Sequence, residues 1–547
     1  MTFQAANHTG ERWQGENFGL ALKALAVQVE EGRPALIYGE QIISWAELDR
    51  VTDQIAAGLL AKGLKAGDIA GQMQRNTPEY MFAYFGCIKA GLTPVNVNYR
   101  YKDRELADIF ARFDLKVLFS ESEFAGTAGA AMPDGSLTID VGGDDWAALQ
   151  ASDIPADFAV NDARDALFLT ATGGTTGMPK AVMWPFDAAW QAFSISIYQR
   201  GFGEQPFVAT SLEEHVAEAV KITTDHPASN SPTLLLSPLM HGAGQFNAVI
   251  QLLKGGTLAL LPAENFDATL ALEEAARLGA KNMFVVGDAF ALPMADVLDS
   301  RDDVADLLKD VKTITSSGAI FSESNKKRLI AHAPHLVIID ALGSSESSGT
   351  AVLITTAAGS TGGGKFQAMP DREVKLLDEN LNVIEPGSGG VGIVARTGAL
   401  PLGYLGEDEK NAQTFPVIDG KRWLMTGDRA RWGADGAMEF IGRDNMCINT
   451  GGEKVFPEEV EAVLQDHAGV KDVRIVSLPD PRFGRKIVAV VQPENGAEGL
   501  EAELDKSARD GLAGYKIPRT YVFTESSLRL NNGKPDYKGA QAIADQV

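Results

Sequence analysis

Apolar and polar positions change period repeatedly along most of the chain. Short apolar runs at 166–169, 233–236, 257–261, 282–286 and 337–339 predict buried strands. Helical spacing marks 53–64 ahead of them, and stretches such as 270–278 separate some of them. Ser44, with Glu47 three residues on, predicts an N-cap and capping box, and Gly63 predicts a helix stop. Strands alternating with helices predict an α/β architecture with largely parallel sheets.

The pattern changes after Leu381. Gly387-Ser388-Gly389-Gly390 introduces a turn, and shorter strands with glycine-rich turns follow, which predicts a β-barrel-like unit. A second change comes near Gly442. Beyond it a helix at 458–464, strands at 473–477 and 486–491 and a helix at 501–508 predict a compact α+β domain. The expected division is a large domain over 1–444 and a small one over 445–547. The patch Gly359-Ser360-Thr361-Gly362-Gly363-Gly364 reads as a surface loop.

Charge narrows the function. Against 49 basic side chains stand 73 acidic ones, a formal net charge of −24 over 547 residues. Such a chain is a poor partner for nucleic acid or anionic lipid, and any anionic ligand needs basic residues concentrated locally. The two cysteines, Cys87 and Cys447, build no disulfide framework and no thiolate zinc site, and Cys87 lies in an apolar run that reads as core. The first residues have no basic region followed by an apolar stretch, so no signal peptide is expected. No apolar run reaches about 18 residues, so no integral membrane segment is expected. A reducing cytoplasm fits best.

The most informative segment is Leu169-Thr170-Ala171-Thr172-Gly173-Gly174-Thr175-Thr176-Gly177-Met178-Pro179-Lys180. It follows an expected strand. Its glycines let backbone amides turn toward a phosphate chain, Thr172, Thr175 and Thr176 add hydroxyls, and Lys180 adds a positive charge. It is not a Walker A loop, which places the lysine directly after the second glycine.

This string resembles the phosphate loop of the adenylate-forming superfamily, which includes acyl-CoA synthetases, firefly luciferase and peptide-synthetase adenylation domains. Further motifs follow in the family's order and carry the resemblance over nearly the whole chain. Pro238-Leu239-Met240-His241 resembles the motif whose histidine sits beside the carboxylate end of the acid pocket. Ser316-Ser317-Gly318-Ala319 resembles the segment that packs on adenine. Asp340-Ala341-Leu342-Gly343-Ser344-Ser345-Glu346 matches the loop whose glutamate holds magnesium, which implies Glu346, with Ser345, as the metal ligands. Ser345 stands where threonine is usual, and Leu342 where an aromatic residue is usual. Thr426-Gly427-Asp428 implies a carboxylate on both ribose hydroxyls, and Arg443 a second ribose or phosphate contact. Asn445 occupies the hinge position, usually Asp or Lys. Thr450-Gly451-Gly452-Glu453-Lys454 resembles the hairpin that lines the pantetheine tunnel, and Gly533-Lys534 the loop of the adenylation lysine.

The resemblance implies an ATP-dependent acid–CoA ligase, with ATP, magnesium and coenzyme A. An acid carboxylate first joins AMP, with Lys534, Thr172, His241 and Glu346 around the reacting groups. The small domain then rotates and the CoA thiol takes the acyl group. The acid pocket is expected near Val286, near Gly343 and just after His241. Val286-Gly287-Asp288-Ala289-Phe290 followed by Pro293 resembles ligases for medium- or long-chain fatty acids and steroid side-chain acids, and Asp288 is otherwise read as a helix cap. The rivals are an aryl-acid CoA ligase, an acyl-AMP ligase that serves a carrier protein, and a non-catalytic nucleotide-binding relative. No carrier domain follows Val547, which disfavours the fused form. The resemblance leaves a homodimer open.

Overall fold

The computed structural model describes residues 17–547 apart from 102, 164, 173–178, 199–206, 226–230, 302–303, 362–363, 444–445, 451–452, 481–483 and 531–532. Two large sheets organise the greater part of the chain. In the ten-stranded sheet, Leu258–Leu260, Thr233–Leu235, Asn282–Val285, Thr313–Ser317 and Val337–Leu342 lie side by side and parallel. In the seven-stranded sheet, Leu167–Thr172, Thr93–Asn96, Ile69–Met73, Leu115–Glu121 and Leu137–Val141 do the same, and Lys180–Pro185 closes back antiparallel.

Successive side chains of a strand point to opposite faces, so each buried sheet serves two cores. Leu235, Leu258 and Phe284 face a middle layer with Phe168 and Trp184 of the other sheet. Helices Trp45–Ala61, Pro78–Ala90, Phe186–Tyr198 and Gly242–Leu253 fill that layer. Met283, Val285 and Ile314 face outward onto helices Ala268–Leu278, Asp288–Ser300 and Glu323–His332. Val95, Leu115 and Leu118 face the opposite outer layer, with Ile109 and Phe110 of helix Asp103–Phe113. The order is therefore helix, sheet, helix, sheet, helix, as the alternating pattern predicts. Cys87 is buried, as its apolar run predicts.

The shorter strands after residue 381 join Val374–Leu377 in a five-stranded antiparallel sheet. From Ile448 onward the chain closes two cores on the faces of one three-stranded sheet. Neither includes a residue before 448. The expected boundary at 444–445, with Asn445, lies outside the described residues.

Local signals hold at several helix ends. Ser44 Oγ accepts the Glu47 amide at 3.1 Å, and Gly63 follows the helix with φ +88°. Two expectations need correction. Gly359–Ser360 is a short strand paired with Thr355–Thr356, because the chain turns back on the preceding strand within three residues. Asp288 does not cap its own helix. Gly287 holds that place, and Asp288 Oδ1 accepts from the Ser322 amide, the Ser322 hydroxyl and Asn325 Nδ2, at the start of the next helix.

Candidate active site

A cavity of about 1410 Å³ opens at the C-terminal ends of the parallel strands of the ten-stranded sheet and runs back beneath helix Gly242–Leu253. Ends of parallel strands collect ligands because loops of several strands converge there.

The phosphate-loop segment is a β-hairpin. Strand Leu167–Thr172 pairs with Lys180–Pro185, and Thr172 stands opposite Lys180. Both line the cavity. Gly173, Gly174, Thr175, Thr176 and Gly177 lie outside the described residues.

His241 reaches the cavity from the turn that starts helix Gly242–Leu253. Three side chains that sequence reasoning missed hold this turn. Asn76 donates to Ser237 O at 2.9 Å and accepts from the Leu239 amide at 2.7 Å. The Tyr80 hydroxyl donates to Leu239 O at 3.0 Å. Asn96 donates to Met240 O at 2.5 Å and to Ala171 O at 3.2 Å, and accepts from the Ala171 amide at 2.7 Å. Asn96 thus ties the histidine turn to the strand that leads into the phosphate loop. The one signal was an asparagine at the end of the buried strand Thr93–Asn96. Asn96→Ala should destabilise the fold by about 2–3 kcal/mol, since it strands buried backbone groups; urea unfolding measures it.

His241 Nε2 is buried and meets no hydrogen-bond partner among the described residues. Burial, then the charges of Lys534 and Arg100, lower its pKa from 6.5 to about 3, so the ring is neutral near pH 7. The folded pKa lies below the unfolded one. The associated stability is therefore complete above about pH 6.5 and is lost as the pH falls from there toward 3. NMR of the ring, assigned with His241→Asn, should show no titration between pH 8 and 5. A midpoint near 6.5 would contradict the burial.

The acidic loop joins strands Val337–Leu342 and Ala351–Thr356 across a tight turn. Its amides are tied internally: Ser344 N–H donates to Ser347 Oγ at 2.8 Å and Glu346 N–H to Ser344 Oγ at 3.3 Å. Trp184 Nε1 donates to Ser345 O at 2.8 Å, fastening the loop to the phosphate hairpin. Glu346 is buried, and its Oε1 accepts the Tyr404 hydroxyl at 2.7 Å. Tyr404, paired in register with Val182 on the hairpin, lies under Lys180, whose Nζ is 6.0 Å from the ring centroid. Burial and then the Glu346 charge push the Tyr404 phenol up, so it remains a donor. Tyr404 was also missed, because Pro401-Leu402-Gly403-Tyr404 reads as an ordinary turn.

Among the described residues no three His, Cys, Asp or Glu side chains form a metal cluster. Glu346 still has its second oxygen, and Ser345 lines the same wall. One carboxylate beside hydroxyls suits magnesium, which takes most of its ligands from phosphates and water.

Ser317, Gly318 and Ala319 line the cavity at the end of strand Thr313–Ser317, as do Leu342, Gly343 and Ser344. Gly287 is required where it stands: its φ is +53°, and a Cβ there would fall 2.2 Å from Ile320 O. Asp428 lines a small adjoining pocket with Leu342, Gly343 and Thr426, and Thr426, which also lines the large cavity, donates its hydroxyl to Asp428 Oδ2. Arg443 pairs in register with Asp428, and its side chain lies outside the described residues. So do Gly451 and Gly452.

Lys534 lines the cavity from the small C-terminal unit. Its loop closes on itself through Gly533 N–H to Leu530 O at 2.7 Å and Leu530 N–H to Lys534 O at 2.8 Å. Gly533, at φ +78°, rests on Ala289 so closely that a Cβ would fall 1.9 Å from the Ala289 Cβ. Arg529 pairs with Asp472 at 2.8 Å and reaches toward Asp288 at 3.9 Å. In a chain of net charge −24, Lys180 and Lys534 thus converge on one cavity.

Residues 24–405 match the model of the AMP-binding enzyme family, and residues 459–534 that of the AMP-binding enzyme C-terminal domain. The chain belongs to the AMP-binding enzyme family. Two curated relatives illustrate its neighbourhood there. A medium/long-chain-fatty-acid–CoA/3-oxocholest-4-en-26-oate–CoA ligase of Mycobacterium tuberculosis is 35% identical over 535 residues, 94% of each chain. A 3-oxocholest-4-en-26-oate–CoA ligase of Rhodococcus rhodochrous is 33% identical over 537 residues, 94% of each chain. Among solved structures, an anthranilate CoA ligase in complex with anthranoyl-AMP superposes with a TM-score of 0.81 at 19% identity, covering 96% of this chain and 98% of that one. A benzoate CoA ligase from Burkholderia xenovorans gives 0.79 at 20% identity, covering 96% and 99%. The family and the fold expected from the motifs are borne out. Among the described residues no helix is long and apolar enough to cross a membrane.

Proposed function

We propose that this AMP-binding enzyme is a cytoplasmic acid–CoA ligase for medium- or long-chain fatty acids or steroid side-chain acids. The observation that carries the reading is the convergence of Lys180, Lys534, His241 and Glu346 on one cavity. In the first half-reaction a carboxylate oxygen attacks the α-phosphorus of ATP, and the bond to pyrophosphate breaks. Two anions meet, so catalysis is positioning and charge neutralisation. Lys534 stands by the meeting point. Thr172, the loop from Gly173 to Gly177 and Lys180 hold the phosphates, and Glu346 and Ser345 would hold the magnesium ion that neutralises them. Neutral His241 sits at the acid's carboxylate end. Ser317, Gly318, Ala319 and the stretch from Leu342 to Ser345 take adenine. Asp428 and Arg443 take the ribose.

In the second half-reaction the domain from 445 rotates against the one ending at 444, Lys534 withdraws, and Gly451 and Gly452 line the way for CoA. The thiol sulfur attacks the acyl carbonyl, loses its proton, and the bond to AMP breaks. The length of the cavity beneath helix Gly242–Leu253 supports a long acid over a compact aryl one. A panel of acids, scored for AMP and pyrophosphate release with and without CoA, tests both acid and acceptor. Long-chain acids should give CoA-dependent AMP release; pyrophosphate release indifferent to CoA for every acid overturns the thioester step.

A further inference from the structure

The cavity continues well past the reacting end. Helix Gly242–Leu253 lays one stripe along it: Ala243, Phe246, Asn247, Ile250 and Gln251, with Lys254 at the C-cap. Their spacing is that of a single helix face. This helix links the parallel neighbours Thr233–Leu235 and Leu258–Leu260, so it runs back over the sheet and ends above the strand starts. There, Thr233, Asn282 and Thr313 stand in one row across three strands, and all three line the cavity. From His241 to Lys254 the helix spans about 20 Å at 1.5 Å per residue.

Lys254 is 5% exposed. The other buried lysines among the described residues have carboxylate partners: Lys89 has Asp49 and Asp53, Lys326 has Asp340, and Lys516 has Glu459. The Lys254 side chain makes no ion pair or hydrogen bond among the described residues. Burial without a counter-charge lowers its pKa to about 8. Thr233 Oγ1 is also buried, with no hydrogen-bond partner among the described residues. The last turn of the helix and the start of this strand share an acceptor: Gln251 Nε2 and the Thr233 amide both donate to Thr257 O at 3.0 Å. An unpaired buried ammonium is costly, and it is retained where a ligand completes it.

We infer that Lys254, with Thr233 and Asn282, recognises a hydrogen-bond-accepting oxygen at the far end of the acid. The preferred substrates are then long acids that carry a ketone or a second carboxylate remote from the reacting carboxyl. This rests on the adenylation reading above and adds the residue that reads the distal end.

The test measures pyrophosphate release by the full chain with hexadecanoic acid, 15-oxohexadecanoic acid and hexadecanedioic acid. Wild type should favour an oxygen-bearing acid over hexadecanoic acid by at least about tenfold in kcat/KM, and Lys254→Met should lower that ratio by roughly 10–100-fold. Preference for the ketone identifies a neutral acceptor, and preference for the diacid a carboxylate. A role confined to folding would change all three acids together and leave the ratio as it was, which overturns the inference. So does a wild type that favours hexadecanoic acid. If circular dichroism shows that Lys254→Met does not fold, Thr233→Val is read by the same ratio. Turnover of hexadecanoic acid with an unaltered ratio leaves adenylation standing and removes only the distal site. Pyrophosphate release from none of the three overturns the long-acid reading and this inference with it.

Discussion

Lys534→Ala should slow acyl-adenylate formation by roughly 10²–10³-fold, the effect of losing one preorganised charge-stabilising donor. Thioester formation from pre-made acyl-adenylate should survive, because the lysine's place is at the meeting of carboxylate and phosphate. Pyrophosphate exchange reads the first half and a single-turnover thioester assay the second. An equal fall in both would show that the lysine serves the fold or both steps alike. The position supports the division: Lys534 arrives on a loop of the small unit and enters a cavity whose walls also carry Thr172, Lys180, His241 and Glu346 of the large one. The same variant should raise the His241 pKa from about 3, because the Lys534 charge is one of the causes that lower it. That readout follows geometry rather than turnover.

Glu346→Gln should reduce adenylation by about 10²–10³-fold and raise the magnesium concentration needed for half-maximal rate, since an amide is a much weaker ligand for a hard cation than a carboxylate. Tyr404→Phe is the control within the same contact. It removes the hydrogen bond to Glu346 Oε1 but leaves the charge, so its loss should be smaller. Pyrophosphate exchange across a magnesium titration separates the two. If Glu346→Gln altered the rate without shifting the magnesium dependence, Glu346 would be a loop-positioning residue and not a ligand.

Five side chains that line the cavity were legible from the sequence; those that hold its walls were not. Thr172, Lys180, His241, Glu346 and Lys534 sit in short ordered motifs, because their spacing is local and chemistry restricts their type. Asn76, Tyr80 and Asn96 act on a segment more than 140 positions away, through bonds to backbone, and backbone acceptors leave no mark on the sequence. Tyr404 reaches the Glu346 carboxylate across 58 positions, a pairing that only the fold brings together. The layered fold followed from periodicity, since buried strands and amphipathic helices each expose their period. Asp288 was misread because a carboxylate at a helix start usually serves its own helix, whereas tertiary packing gives this one to the next helix.

Gly533 contributes no functional group, yet it meters access to the cavity. With φ at +78° and Ala289 filling the space where a side chain would begin, the loop can dock only while this position stays bare. A single methyl there would act as a doorstop against Ala289, while the ammonium of Lys534 would remain in the chain and remain charged. Gly533→Ala therefore isolates what the docking of this loop contributes, without removing any reactive atom.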